Sequence, residues 1–241
     1  MKINSAIAFI IGLGLTLVAP AAEPVKIEAA QGEQEGRELV LRLREMRPPE
    51  SFTNSGRLFL RDDAKRTRRD FPVTIETSVA GQHWQVNYQA QLTPPVSLLV
   101  QRTVTAPPRY QLMQASETNS MMPFAGTDFW LADLGMEFVY WPQQRVLTHE
   151  MRRSEWCWVL ESSHPQPAPG AYARVVSWVH TESGGIVHAE AYDVRGKLWK
   201  VFEPKSFEKI NGRWEVREIE IRNEQTSTRT TLRFNLDAKG K

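Results

Sequence analysis

The best cluster of metal-binding side chains in the sequence is two histidines and a glutamate. His188 and Glu190 alternate onto one strand face, and His180 lies across the turn that joins their strand to the one before. Zinc needs a defined tetrahedral geometry that this spacing does not supply, so no metal site is assigned. Cys157 is the only cysteine. A thiolate could act as a nucleophile, but between Trp156 and Trp158 in a strand-like run Cys157 reads as a small buried hydrophobe. The sequence has no G-x-S-x-G, no phosphate-binding glycine loop, no H-E-x-x-H and no paired cysteines. No catalytic residue and no cofactor is assigned, and the expectation is a protein that is not an enzyme.

The 241 residues, 41% hydrophobic and 24% charged, have ordinary globular composition. Lys and Arg total 30 against 28 for Asp and Glu, a formal charge of +2, which gives no electrostatic footprint for nucleic acid. A single cysteine allows no intramolecular disulfide, so core burial must hold the fold. The 8 tryptophans outnumber the 5 tyrosines, and rings of that size suit cores, grooves and interfaces.

These residues are positioned by a chain that opens as a secretory signal peptide does. Lys2 supplies the charge, Ile7 to Val18 is almost wholly apolar, and Ala19-Pro20-Ala21 is a cleavage pattern. Residues 1–21 read as the signal peptide, 22–35 as a flexible lead-in and 36–241 as one domain. The expected mature protein is exported and soluble, without a membrane anchor. From Glu35 to Arg47, Leu39, Val40, Leu43 and Met46 recur with helical spacing, and Pro48-Pro49 ends the helix. Beyond it the period becomes two, with strand-like runs at 57–61, 71–79, 83–91 and 97–104. A second short helix is expected over 124–134, with Thr127 or Asp128 capping it. Further strands are expected at 136–140, 144–151, 155–161, 173–180, 185–192, 198–202, 213–222 and 228–236, with 207–210 facing 213–216 across an Asn211-Gly212 turn. Short turns make sequential antiparallel neighbours, so the class is mainly β (α+β) with about ten to twelve strands.

A sheet with one wet face alternates cleanly, as Thr230, Leu232, Phe234 and Leu236 do. Other strands carry apolar residues on both faces: Trp158 and Leu160 oppose Cys157 and Val159, and Val175 and Val179 oppose Val176 and Trp178. Both faces then need cover, and two helices leave room for an apolar cavity. The expected ligand-binding lining is Leu39, Leu43 and Met46 on the first helix, Phe129 and Trp130 on the second, and Trp158 and Trp178 on the opposite wall.

From Gly36 onward the chain resembles the LolA-like outer-membrane lipoprotein-sorting proteins, in a divergent branch. Gly126-Thr-Asp-Phe-Trp-Leu-Ala-Asp-Leu134, Tyr172-Ala-Arg-Val-Val-Ser-Trp-Val179, Tyr192-Asp-Val-Arg-Gly-Lys-Leu198, Ile210-Asn-Gly-Arg-Trp214 and Asn223 to Thr231 carry the resemblance. It implies an incomplete, curved antiparallel β-barrel, with short helices over its open side and a cavity for acyl chains. It implies a periplasmic carrier of lipoprotein acyl chains or lipid with no cofactor. Such a carrier works between an inner-membrane exporter and an outer-membrane acceptor and touches membranes only transiently. The alternative is a lipid-sensing periplasmic regulator that binds a protein partner, of the sigma-factor-regulating kind.

Overall fold

The computed structural model describes residues 25–113, 115–210 and 213–236. The expected signal peptide and the Asn211-Gly212 turn lie outside the described residues. Among the described residues, thirteen strands form one antiparallel sheet. In chain order they are β1 (Val25–Lys26), β2 (Phe52–Asp62), β3 (Thr67–Ala80), β4 (His83–Ala90), β5 (Val96–Thr103), β6 (Arg109–Leu112), β7 (Gln143–Arg152), β8 (Glu155–Ser163), β9 (Arg174–His180), β10 (Ile186–Tyr192), β11 (Leu198–Ile210), β12 (Arg213–Asn223) and β13 (Thr228–Phe234). Their spatial order is β1-β7-β8-β9-β10-β11-β12-β13-β2-β3-β4-β5-β6. The last strand thus pairs with β2, while β1 and β6 remain as unpaired edges. The result is an open, curved sheet, an incomplete barrel whose concave face two helices cover.

The first helix, α1 (Ala29–Glu45), lies over β7 and buries Leu39, Val40 and Leu43 against Val139, Val146, Leu160 and Val179. It starts six residues before the expected Glu35, so residues 29–34 are helix and not lead-in. The seam there is made of glycines, which a count of large apolar residues overlooks. A Cβ on Gly36 would stand 2.6 Å from the Arg145 amide nitrogen, and one on Gly32 would stand 2.4 Å from the Val146 carbonyl oxygen. The helix backbone therefore rests directly on the strand.

The segment expected as one helix over 124–134 is two shorter pieces. Ala125 and Gly126 adopt positive φ, which ends a 3₁₀ turn at Phe124–Gly126. A short helix, α2 (Leu131–Gly135), then starts after Trp130. Asp133 caps it by accepting the Trp130 N–H at 2.8 Å, while Thr127 Oγ1 accepts the Phe129 N–H. Residues 136–140, expected as a strand, form a second 3₁₀ turn (Glu137–Tyr140), because Met136 turns left-handed and caps α2. The structure also adds β6, which has only four residues, and joins 198–202 to 207–210 as β11. Pro204 lacks the N–H a central strand uses, and β11 accommodates it with register shifts beside it.

Among the described residues, no helix covers the convex face of β7 to β12. Its apolar residues are covered by long cationic side chains lying flat on rings: Arg152 is 4.7 Å from the Trp178 ring centroid and Arg174 is 4.0 Å from that of Tyr192. His188 sits edge-on to Trp178 and bonds Glu190 and Glu203, each at 3.1 Å. His180 bonds Glu155 and Ser183 on the same face. Burial pushes the His188 imidazole below its ordinary value, with the Glu190 hydrogen bond opposing it. This explains the two-sided apolar strands: one face is cavity and core, the other a ring-and-ion lattice.

The Gly36 seam makes a direct test. Gly36→Val should lower stability by about 1–3 kcal/mol as α1 is lifted from β7. Gln34→Ala, on the exposed side of the same helix, should stay within about 0.5 kcal/mol of wild type. Urea midpoints measure both, and an unchanged midpoint for Gly36→Val would mean α1 does not dock this way.

Candidate functional site

Between the concave face and its cover lies a cavity of about 250 Å³. Val175, Ala189, Ala191, Phe202, Ile219 and Ile221 form its floor on β9 to β12; Phe129, Leu134, Met136 and Phe138 form the roof. The space exists because β10 puts alanines at its inward positions, Ala189 opposite Phe202 and Ala191 opposite Lys200. Small side chains on one strand between large ones on its neighbours leave a trough that the roof bridges. The lining is mostly apolar, with Arg102, Asp133 and Lys200 as its charged members.

Lys200 is 2% exposed and completely engaged. Its ammonium donates to the Asp128 carbonyl at 2.7 Å and to Asp133 Oδ2 at 3.2 Å, and stands 3.6 Å from the Trp130 ring centroid. The Tyr172 hydroxyl donates to both oxygens of Asp133, at 3.1 and 3.3 Å, and its ring stacks on Trp130 at 5.0 Å. The Asp128 carboxylate accepts from Thr228 and Thr230 at 2.6 and 2.9 Å. Arg69 on β3 donates to the Gly126 carbonyl at 2.7 Å. Three of the segments that carry the family resemblance, 126–134, 172–179 and 223–231, thus meet here, and their polar groups fasten the roof to the sheet. Asp193 does the same for the turn after β10, accepting the Arg195 and Lys197 amides and the Gln225 side chain.

Arg102 is different. It lies beside the Trp84 ring, 5.1 Å from its centroid, and its Nε and Nη2 atoms are buried without a hydrogen-bond partner among the described residues. The signal in the sequence is the phase of the strand: Leu98 and Val100 point inward on β5, so Arg102 must as well. Lys200 follows the same rule beside Phe202. A charged residue at an inward position marks both.

Of the seven residues expected to line a ligand site, Phe129 lines this cavity. Leu39 and Leu43 are buried in the separate core beneath α1, and Trp158 packs against that core with the Arg42 guanidinium 5.0 Å from its ring centroid. Trp130 is held in the Tyr172–Trp199 ring cluster beneath Lys200. Met46 is 47% exposed, its sulfur against Gly184. Trp178 is on the convex face, because its register partner on β10 is His188 while inward-facing Val175 pairs with Ala191. Spacing along a helix or strand gives a face, but it does not say which neighbours fill the space in front of it. Among the described residues, no group of three or more His, Cys, Asp or Glu side chains is placed to hold a metal ion. Cys157 is buried, and burial raises its thiol pKa.

A family model with the description "Uncharacterized protein" matches residues 107–237, more than half of the chain, and the chain belongs to that family. No curated protein matches it in sequence. Solved structures share its fold. One, described as an outer membrane lipoprotein-sorting protein domain from Vibrio parahaemolyticus, superposes with a TM-score of 0.68 at 16% identity, over 84% of this chain and 91% of its own. A DUF1329 family protein from Desulfovibrio piger gives 0.65 at 17%, over 85% and 92%. A LolA superfamily protein from Nitrosomonas europaea gives 0.55 at 16%, over 87% and 92%. No helix among the described residues is long and apolar enough to cross a membrane.

Burial holds the Lys200 amine down at about 8, against an ordinary 10.5, and Asp133 offsets this only in part. Between those values the unfolded chain binds the proton that the folded protein has released, so this group makes stability rise with pH across the window. Compared with Lys200→Met, wild type should gain stability from pH 8 toward 10.5 by up to a few kcal/mol. Denaturation midpoints for both proteins across that range measure it. A difference that stays flat would mean Lys200 keeps an ordinary pKa in the fold.

Proposed function

We propose that the protein is a periplasmic carrier that takes an acyl chain of a lipoprotein or lipid into the cavity under its roof and moves it toward the outer membrane. The observation that carries this reading is the covered apolar trough on the concave face of a LolA-like open sheet. Its volume of about 250 Å³ is just below the roughly 300 Å³ at which small-molecule pockets begin. A chain end fits the structure as it stands. The driving force is burial of apolar area, roughly 25 cal/mol per Å², which needs no cofactor and no covalent step. Loading from an inner-membrane exporter and delivery to an outer-membrane acceptor complete the proposal. The resemblance of the motif segments and the name of the Vibrio parahaemolyticus neighbour support that direction of transfer.

Competition with the uncharged fluorescent probe N-phenylnaphthylamine tests the reading. Wild type should bind the probe and release it to single-chain lipids. Ala191→Phe, which fills the trough, should weaken probe binding by about tenfold or more while leaving the circular dichroism spectrum unchanged. Trp178→Ala, on the convex face, should leave binding unchanged. Absence of probe binding, or equal binding by Ala191→Phe, would contradict the carrier reading.

A further inference from the structure

Arg102 belongs to two spaces. It is the one residue common to the linings of the interior cavity and of a groove of about 530 Å³ at the end of β3, β4 and β5. The charged side chains of the groove are all basic, whereas the cavity is lined mostly by apolar ones. Its other titratable lining residues are His83 and Arg109, and no carboxylate lines it. Two of the Arg102 donors, Nε and Nη2, are buried where these spaces adjoin, with no partner among the described residues. A guanidinium left so is costly, because each buried donor has lost water and gained nothing.

The neighbouring charges do not relieve it. Asp133 lies on the cavity side, but Lys200, the Tyr172 hydroxyl and the Trp130 amide occupy it. Glu137 accepts from Ser120 and stands beside Tyr110. Neither forms an ion pair with Arg102. The strand ends that carry this arginine are held in place: the Tyr140 hydroxyl donates to the Thr103 carbonyl at 2.7 Å, and Arg47 donates to the Gly81 carbonyl in the β3–β4 turn. The cation is thus presented by a braced rim.

We propose that the ligand is a single-chain anionic amphiphile, its acyl chain in the apolar cavity and its acidic head in the basic groove, with the head accepting hydrogen bonds from Arg102 Nε and Nη2. A planar guanidinium offers two parallel donors to a carboxylate or phosphate oxygen pair, which an alcohol or ester cannot use in the same way. Arg109 adds positive charge at the open end of the groove without entering the cavity. Lys200 takes no part, since its ammonium is held by the Asp128 carbonyl, Asp133 and the Trp130 ring. This inference rests on the carrier reading and adds the chemistry of the head to it.

The experiment is competition against N-phenylnaphthylamine by dodecanoate, dodecyl phosphate, dodecanol and inorganic phosphate, at neutral pH. Wild type should bind the two amphiphilic anions at least about tenfold more tightly than dodecanol, and inorganic phosphate should not displace the probe. Arg102→Met should remove the preference for the anions over dodecanol, and Arg102→Lys should keep part of it. The comparison of ligands on wild type needs no variant to fold. Equal affinity of wild type for acids and alcohol would overturn the anionic head and leave the acyl carrier standing. Displacement by inorganic phosphate alone would overturn the amphiphile, and no displacement by any chain would overturn both readings together.

Discussion

Lys200 stands on the concave face where strand alternation calls for an apolar side chain, and its charge is tolerable there only because of what the roof brings to it. Asp133, the Asp128 carbonyl and the Trp130 ring all come from the segment that crosses the open side of the sheet. Removing any of them leaves an ion with no solvent and too few partners, which costs far more than the pair contributes when intact. The roof is therefore located by a polar contact, although most of its contact area is apolar. Phe124, Phe129 and Leu131 then pack into the core of β2 to β5, β12 and β13. The cavity is what remains between this fixed roof and the alanines of β10.

The polar groups of segments 126–134, 172–179 and 223–231 are spent on fastening, with their hydrogen bonds made inside the protein, and the cavity beside them is lined by less distinctive aliphatic residues. The convex face, meanwhile, reaches burial by a lattice of rings and ions.

The antiparallel sheet was legible because its strands carry period two and its hairpins carry explicit turns. The pairing of β11 with β12 across residues 210 and 213 is where the Asn211-Gly212 signal placed it. The start of α1 was hidden because Gly32 and Gly36 make their contacts with backbone, which hydrophobic spacing does not register. Residues 136–140 read as strand because Met, Phe, Val and Tyr favour one, yet the left-handed Met136 at the end of α2 sends them into a 3₁₀ turn. The site was less legible still. Leu39, Leu43 and Trp158 are inward-facing as expected, but they fill their own core, and only the whole topology shows that the empty volume lies farther along the sheet. The inward phase of Arg102 and Lys200 was present in the sequence as a charge where an apolar residue belonged.

The central claim is that an acyl chain occupies the trough on β10 to β12 and not the core beneath α1. Isotope-filtered NMR on methyl-labelled protein with bound dodecanoate tests it most directly. The account predicts nuclear Overhauser contacts from the chain to the methyl groups of Ala189, Ala191, Ile219 and Ile221, and none to those of Leu39 and Leu43. Contacts to Leu39 and Leu43, or none to the β10 and β12 methyls, would contradict it.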